Sequence, residues 1–367
     1  MPCQTPPASR PCSRPRRPRL HLHLLCGAAL MFAWGCAPKS PTPTPEQEDA
    51  PAKAAAATTT AATATTTATA DAPAEATPAE TPPSTASAKL LSWLDPDATS
   101  VAYLRHDRTL HGERLATIFG LPPNLEDAVK APSDLTWALG VLLDADHPDA
   151  VQGWFDDDVL VMRPRVANGL YVLRRLEKPA DEMKAALQQH GTLSESEGFA
   201  VFSPRSAFPF TMVFVDDEVV AFIPMREIGS GLSPLTAARD LPPSPVETEL
   251  ATILDETRDL SLVALAAGPM THLDLDHPVG RARVTLRRLA NGLIDGEVAY
   301  QMLAPEHAEH AIGQLGERTV FADNERIKGL ARKVAFTRDA DVVNGRLQLP
   351  RSDADVLEDP RLKATTP

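Results

Sequence analysis

Residues 284–315 read VTLRRLANGLIDGEVAYQMLAPEHAEHAIGQL, and this stretch decides the fold. Val284–Leu289 alternates apolar and polar residues, as does Glu297–Met302. Between them stands Asn291-Gly292, a pair that tolerates positive φ and so favours a hairpin. Pro305–Leu315 follows with helical spacing and proline at its first position. The same grammar occurs upstream. Leu170–Leu176 reads as a strand, and Pro179–His190 as a helix with Met183, Ala186 and Leu187 on one face. Both copies carry Ala-Asn-Gly-Leu, at 167–170 and at 290–293, and a weaker third copy stands at Val342-Val343-Asn344-Gly345.

A second element recurs in the same order. Asp144-Ala-Asp146-His147-Pro148 and Asp274-Leu-Asp276-His277-Pro278 each precede their Asn-Gly pair. Two matching elements in one order predict an internal duplication of a hairpin-plus-helix unit. Around the copies, Ser100–Arg105 reads as a strand and Gly112–Phe119 as a helix. Asn124 caps a short helix to about Lys130, and a separate helix follows Pro132-Ser133 to Leu142. Further strands are predicted at 158–162, 199–202, 211–215, 218–223 and 260–267, and Ser244-Pro-Val-Glu247 is a capping box opening a helix. The expected class is α+β: an antiparallel sheet with helices on one face, built from duplicated units. This grammar resembles that of uncharacterised repeat domains in secreted bacterial proteins.

The four cysteines, Cys3, Cys12, Cys26 and Cys36, all lie in the first 36 residues. Disulfides and thiolate metal sites are therefore excluded from the predicted domain at 88–357, as is a Cys-His enzyme. Five arginines between Arg10 and Arg19 precede an apolar run, Leu20–Gly35, that is short of the roughly 20 residues needed to span a bilayer. A basic start, a short apolar run and a small residue before a cleavage point form a secretory signal. The run ends Phe32-Ala33-Trp34-Gly35-Cys36, which resembles the lipobox of bacterial lipoproteins, with Trp34 standing where a small residue is usual. The resemblance implies removal of residues 1–35, acyl chains on Cys36 as the one covalent cofactor, and attachment to a membrane. Ala37, where an inner-membrane retention signal would have Asp, implies the outer membrane rather than the inner.

Residues 37–87 contain no Val, Ile, Leu, Met, Phe, Tyr or Trp, but nine Pro and thirteen Thr. Such a segment buries too little apolar surface to offset its ordering entropy, so 36–87 is expected to be a disordered stalk reaching roughly 40 Å. Residues 358–367 are expected to be a disordered tail. The alternative for the whole N-terminus is a cytosolic protein with a disordered extension. The full chain carries a formal charge of −13; without the five arginines, 31 Lys and Arg face 49 Asp and Glu, a balance of −18. That surface repels nucleic acid.

Candidate metal ligands are the recurring Asp144, Asp146 and His147, and His272, Asp274, Asp276 and His277. Clustered carboxylates suit Ca²⁺, and the His/Asp set suits Zn²⁺ or Mn²⁺. The alternatives are a solvated acidic loop over Asp144–Asp158 and a proline-terminated strand end at 272–278. Glu306-His307-Ala-Glu-His310 has histidines three apart, without the zincin spacing, and reads as an ordinary first helical turn. No nucleophile elbow, Walker loop or dinucleotide fingerprint occurs. The expected function is a membrane-tethered envelope lipoprotein with a non-enzymatic binding or structural role, its partner an envelope protein or an apolar ligand. Two alternatives remain: a lipid or apolar-ligand carrier with a cavity beneath the helices, and a metal-dependent hydrolase using His272–His277.

Overall fold

In the computed structural model the described residues are 85–105, 111–142, 153–167, 169–205, 208–225, 231–257, 259–272 and 274–357. They belong to one compact unit, Thr77–Pro367. The signal, Cys36, nearly all of the stalk, the tail, Asn168 and the first Asp-x-Asp-His-Pro element lie outside them. The strands are β1 (Ser100–Leu104), β2 (Phe155–Arg163), β3 (Tyr171–Leu176), β4 (Gly191–Ser196), β5 (Phe199–Pro204), β6 (Phe210–Phe214), β7 (Val219–Pro224), β8 (Leu260–Met270), β9 (Val279–Arg288), β10 (Ile294–Met302), β11 (Ala335–Asp339) and β12 (Val342–Leu349). They form one antiparallel sheet in the order β11-β12-β10-β9-β8-β1-β2-β3-β7-β6-β5-β4.

The predicted duplication is visible in that order. Each half is a three-strand meander, a helix, and then a further antiparallel run, of four strands in the first half and two in the second, whose last strand returns to pair with the third. In the first half β1-β2-β3 is followed by α4 (Ala180–Leu187), and β7 closes on β3; in the second β8-β9-β10 is followed by α7 (Pro305–Glu317), and β12 closes on β10. The halves join where β1 and β8 pair, with Ala102 opposite Ala264. Both Asp-x-Asp-His-Pro elements fall in the connection leading to the second strand of their half.

Alternation along each strand sorts side chains to two faces. The first face, with Val343, Val284, Ala102, Val172 and Phe202, is buried along its length. It is covered by α2 (Gly112–Phe119), α3 (Pro123–Leu142), α4, α7 and α8 (Glu325–Ala331). The second face carries a further helical layer that the sequence reading did not include. There α1 (Thr85–Leu91), α5 (Ser233–Asp240) and α6 (Pro245–Glu256) bury Tyr103, Leu160, Leu173, Val213 and Leu265. This layer stops at β8. Beyond it the second face of β9, β10, β12 and β11 has no helix among the described residues.

Three expectations are corrected. The two helices read around Pro132 are one, α3, because Leu125, Val129, Leu135 and Leu139 from both sides of the proline bury in the same core. That burial outweighs the loss of about 3 kcal/mol at an internal proline. The third Asn-Gly is no turn: Asn344 and Gly345 lie inside β12, paired with Ala299 and Val298 of β10. A Cβ at 345 would stand 2.6 Å from the Phe336 ring and 2.8 Å from Val298, so glycine serves close packing there. The folded chain also begins earlier than residue 88, since α1 starts at Thr85 and Ser87 is buried.

Candidate functional site

The helix-free face is built in cross-strand rows. One row runs Arg283, Ala299, Asn344, Thr337, and the next runs Thr285, Glu297, Arg346, Ala335. A third contains Arg287, Asp295 and Gln348. The small side chains Ala299 and Ala335 leave space between longer neighbours, and a groove of about 350 Å³ results. That volume lies at the low end of small-molecule sites. On the other face of the same strands Val284, Val298 and Val343 are buried, so Arg283, Thr285, Glu297 and Asn344 beside them fall on the groove side.

Charge on this face is mostly paired. Asp295, 2% exposed, accepts from Arg287 Nη2 at 2.5 Å and from Arg346 Nε and Nη2 at 3.2 and 3.1 Å. Burial pushes its pKa up, but the hydrogen bonds from Arg346, Gln348 and Arg287 outweigh it and hold the carboxyl below its ordinary range. Glu297 lies 3.6 Å from Arg346 and 3.8 Å from Arg287. Arg281, at the border with α6, is paired with Glu249 of that helix. Arg283 makes no ion pair or hydrogen bond to any described residue.

The sequence-selected metal candidates do not converge. Asp144, Asp146 and His147 lie outside the described residues. His272 is buried, its Nε2 donates to the Gly120 carbonyl, and its Nδ1 accepts from the Asp274 amide at 3.1 Å. Both ring nitrogens are thereby occupied. Asp276 accepts from Gln314 Nε2 at 2.5 Å, and the His277 ring stacks on His307 at 4.0 Å and 11°. Stacked rings hold their lone pairs in parallel planes, so the pair as placed cannot share an ion. Asp276 and His277 instead dock the β8–β9 connection on α7. Among the described residues no three His, Cys, Asp or Glu side chains are arranged to hold a metal. The acidic stretch ends inside β2, where Asp158 is buried and accepts from the Tyr103 hydroxyl at 2.7 Å.

His272 belongs to a polar knot that the sequence does not announce. The last carbonyls of α2 receive donors from three distant segments: Arg318 reaches Ile118, Tyr300 reaches Phe119 and Gly120 at 3.1 and 3.0 Å, and His272 reaches Gly120. Gly120 adopts φ +67°, as a left-handed helix cap does. Burial lowers the His272 pKa, against the Gly120 carbonyl and Asp274, which raise it. The unfolded chain gains a proton as pH falls through about 6.5, while folded His272 stays neutral to lower pH, so stability is lost across that window. His272→Gln is expected to flatten the stability–pH profile between about pH 7 and 5, measured by urea unfolding. An unchanged slope would show that His272 is not the group responsible.

No protein-family model matches this chain, and no curated protein does. The chain is similar to solved structures of TP0453. Crystal form I aligns with TM-score 0.38 and 11% identity over 72% of this chain and 95% of that one. Crystal form III aligns with TM-score 0.40 and 10% identity over 73% and 96%. No residue role is carried over from likenesses this remote.

Proposed function

We propose that the protein is an exported lipoprotein, processed and acylated at Cys36, whose folded domain is a non-enzymatic binding module. The observation that carries the binding reading is the grooved polar face of β9, β10, β12 and β11, over which no helix lies among the described residues. A polar face that merely met solvent would need no relief. This one has small residues aligned beneath a charged rim. The chemistry favours holding over turnover: Asp295 is kept ionised between guanidinium donors and is poorly suited to trade a proton near neutral pH. The groove lies on the bare polar face and not beneath helices, which favours a polar ligand over an apolar one.

The tether rests on the lipobox-like Phe32–Cys36 and the Pro/Thr/Ala-rich spacer, with the outer membrane as the proposed destination. Among the described residues no helix is long and apolar enough to cross a membrane. Intact mass of membrane-extracted protein is expected to match a chain starting at Cys36 plus acyl groups, and Cys36→Ala to abolish both processing and attachment. A full-length, unacylated chain in the cytosol would refute the tether. The binding face is tested by thiol footprinting. Ala299→Cys, at the groove floor, is expected to react with a maleimide more slowly in cell envelopes than after purification. Gly313→Cys, exposed on α7, should react equally in both. Equal reactivity at residue 299 would sink the binding-face reading.

A further inference from the structure

We propose that the groove binds a small hydroxylated organic monocarboxylate, with the carboxylate seated on Arg283; this rests on the binding-face reading above. Arg287 and Arg346 are set against Asp295 and Glu297, and Arg281 against Glu249. Among the described residues of this face one cation is left over, Arg283, at the end of the row whose floor is Ala299. Asp339, the remaining carboxylate on this face of the four strands, is on β11, three strand spacings from β9 and about 14 Å away. An uncompensated guanidinium on a chain of net charge −13 is complementary to a planar anion, which it grips through two parallel hydrogen bonds.

The rest of the lining narrows the class. Thr285, Asn344 and Thr337 offer hydroxyl and amide groups, suited to ligand hydroxyls. The lining has no aromatic ring and no long aliphatic side chain, so a fatty acid would find nothing for its tail. A second ligand carboxylate would approach Glu297 in the neighbouring row, which favours one negative charge over two or three. The volume accommodates a molecule of sugar-acid size and not a folded partner.

The test is saturation-transfer NMR on the full-length protein with gluconate, its neutral counterpart sorbitol, octanoate, and an acidic pentaglutamate peptide. Gluconate is expected to bind, and Arg283→Gln to weaken it at least about tenfold, the loss expected for one charge-assisted contact. Arg283→Lys, which keeps the charge but not the fork, should fall between. Arg338→Gln removes a cation from β11 on the opposite face, where it pairs with Glu309, and should leave binding unchanged. Gluconate binding lost equally in Arg338→Gln, or matched by sorbitol, octanoate or the peptide, overturns the assignment. If gluconate is silent while residue 299 is still shielded in envelopes, the monocarboxylate class fails and the binding face stands. If gluconate is silent and residue 299 is unshielded, both fail.

Discussion

Arg318→Ala is expected to destabilise the domain by about 3 kcal/mol, lowering Tm by on the order of 10 °C. Arg318 enters the core from the end of α7 and donates to the carbonyls of Ile118, at the end of α2, and Ala331, at the end of α8. Burial pulls its pKa down, with Tyr300 and Asp274 pulling it back up, and the guanidinium stays charged. Alanine leaves the Ile118 carbonyl without its donor and takes one of two donors from Ala331, both at helix C-termini where the dipole favours a cation. Lysine should recover part of the loss, since it restores charge without a rigid fork. Gly120 makes the fit close: a Cβ there would stand 2.0 Å from Arg318 Nη1. Because Arg318, Tyr300 and His272 cap one helix end, the double variant Arg318→Ala/Tyr300→Phe should cost less than the sum of the single ones. A single-variant loss under about 0.5 kcal/mol would show that the knot is ornamental to stability.

Gly112→Ala is expected to cost a similar amount, about 3 kcal/mol, by overpacking. At the start of α2 its Cβ would meet the Val129 carbonyl oxygen at 2.0 Å and carbon at 2.4 Å, and Lys130 Cα at 2.7 Å. All three are backbone atoms of α3, so no rotamer change relieves the clash and one helix must move bodily. Moving α2 also drags the carbonyls of residues 118–120 from their donors, which couples this site to the knot eight residues away. Urea unfolding gives the loss, and a stability near wild type would mean that α2 and α3 do not approach so closely. Neither variant touches the groove, so residual folded protein should retain whatever that face binds.

The binding face and the knot differ in how much of them the chain could announce. Alternation in β9 and β10 made the hairpin legible, because period two is a local property of strands. It also placed Thr285 and Glu297 on the side opposite Val284 and Val298. That side became a groove only because β12 and β11 extend the rows with Asn344, Thr337 and Ala335, and because the layer of α6 stops at β8. Neither fact is local. The histidine-rich segments drew attention by composition, yet His272 is a helix cap and His277 a stacking partner of His307. Type and spacing cannot distinguish a ligand from a hydrogen-bond donor when the partner lies about 150 residues away, as Gly120 does from His272.

What the amino-acid sequence determined by itself is the class of fold, the duplicated units, most strands and helices, and the absence of thiol chemistry from the folded domain. Each follows from periodicity, turn chemistry or composition, which act over a few residues. Tertiary structure alone decided that Pro132 sits inside one helix, that Asn344-Gly345 is strand rather than turn, and that a second helical layer covers part of the other face. It also decided which arginine of the groove face has no carboxylate partner among the described residues. These outcomes depend on burial and pairing between distant segments, and those energies exceed the local preferences that a sequence displays.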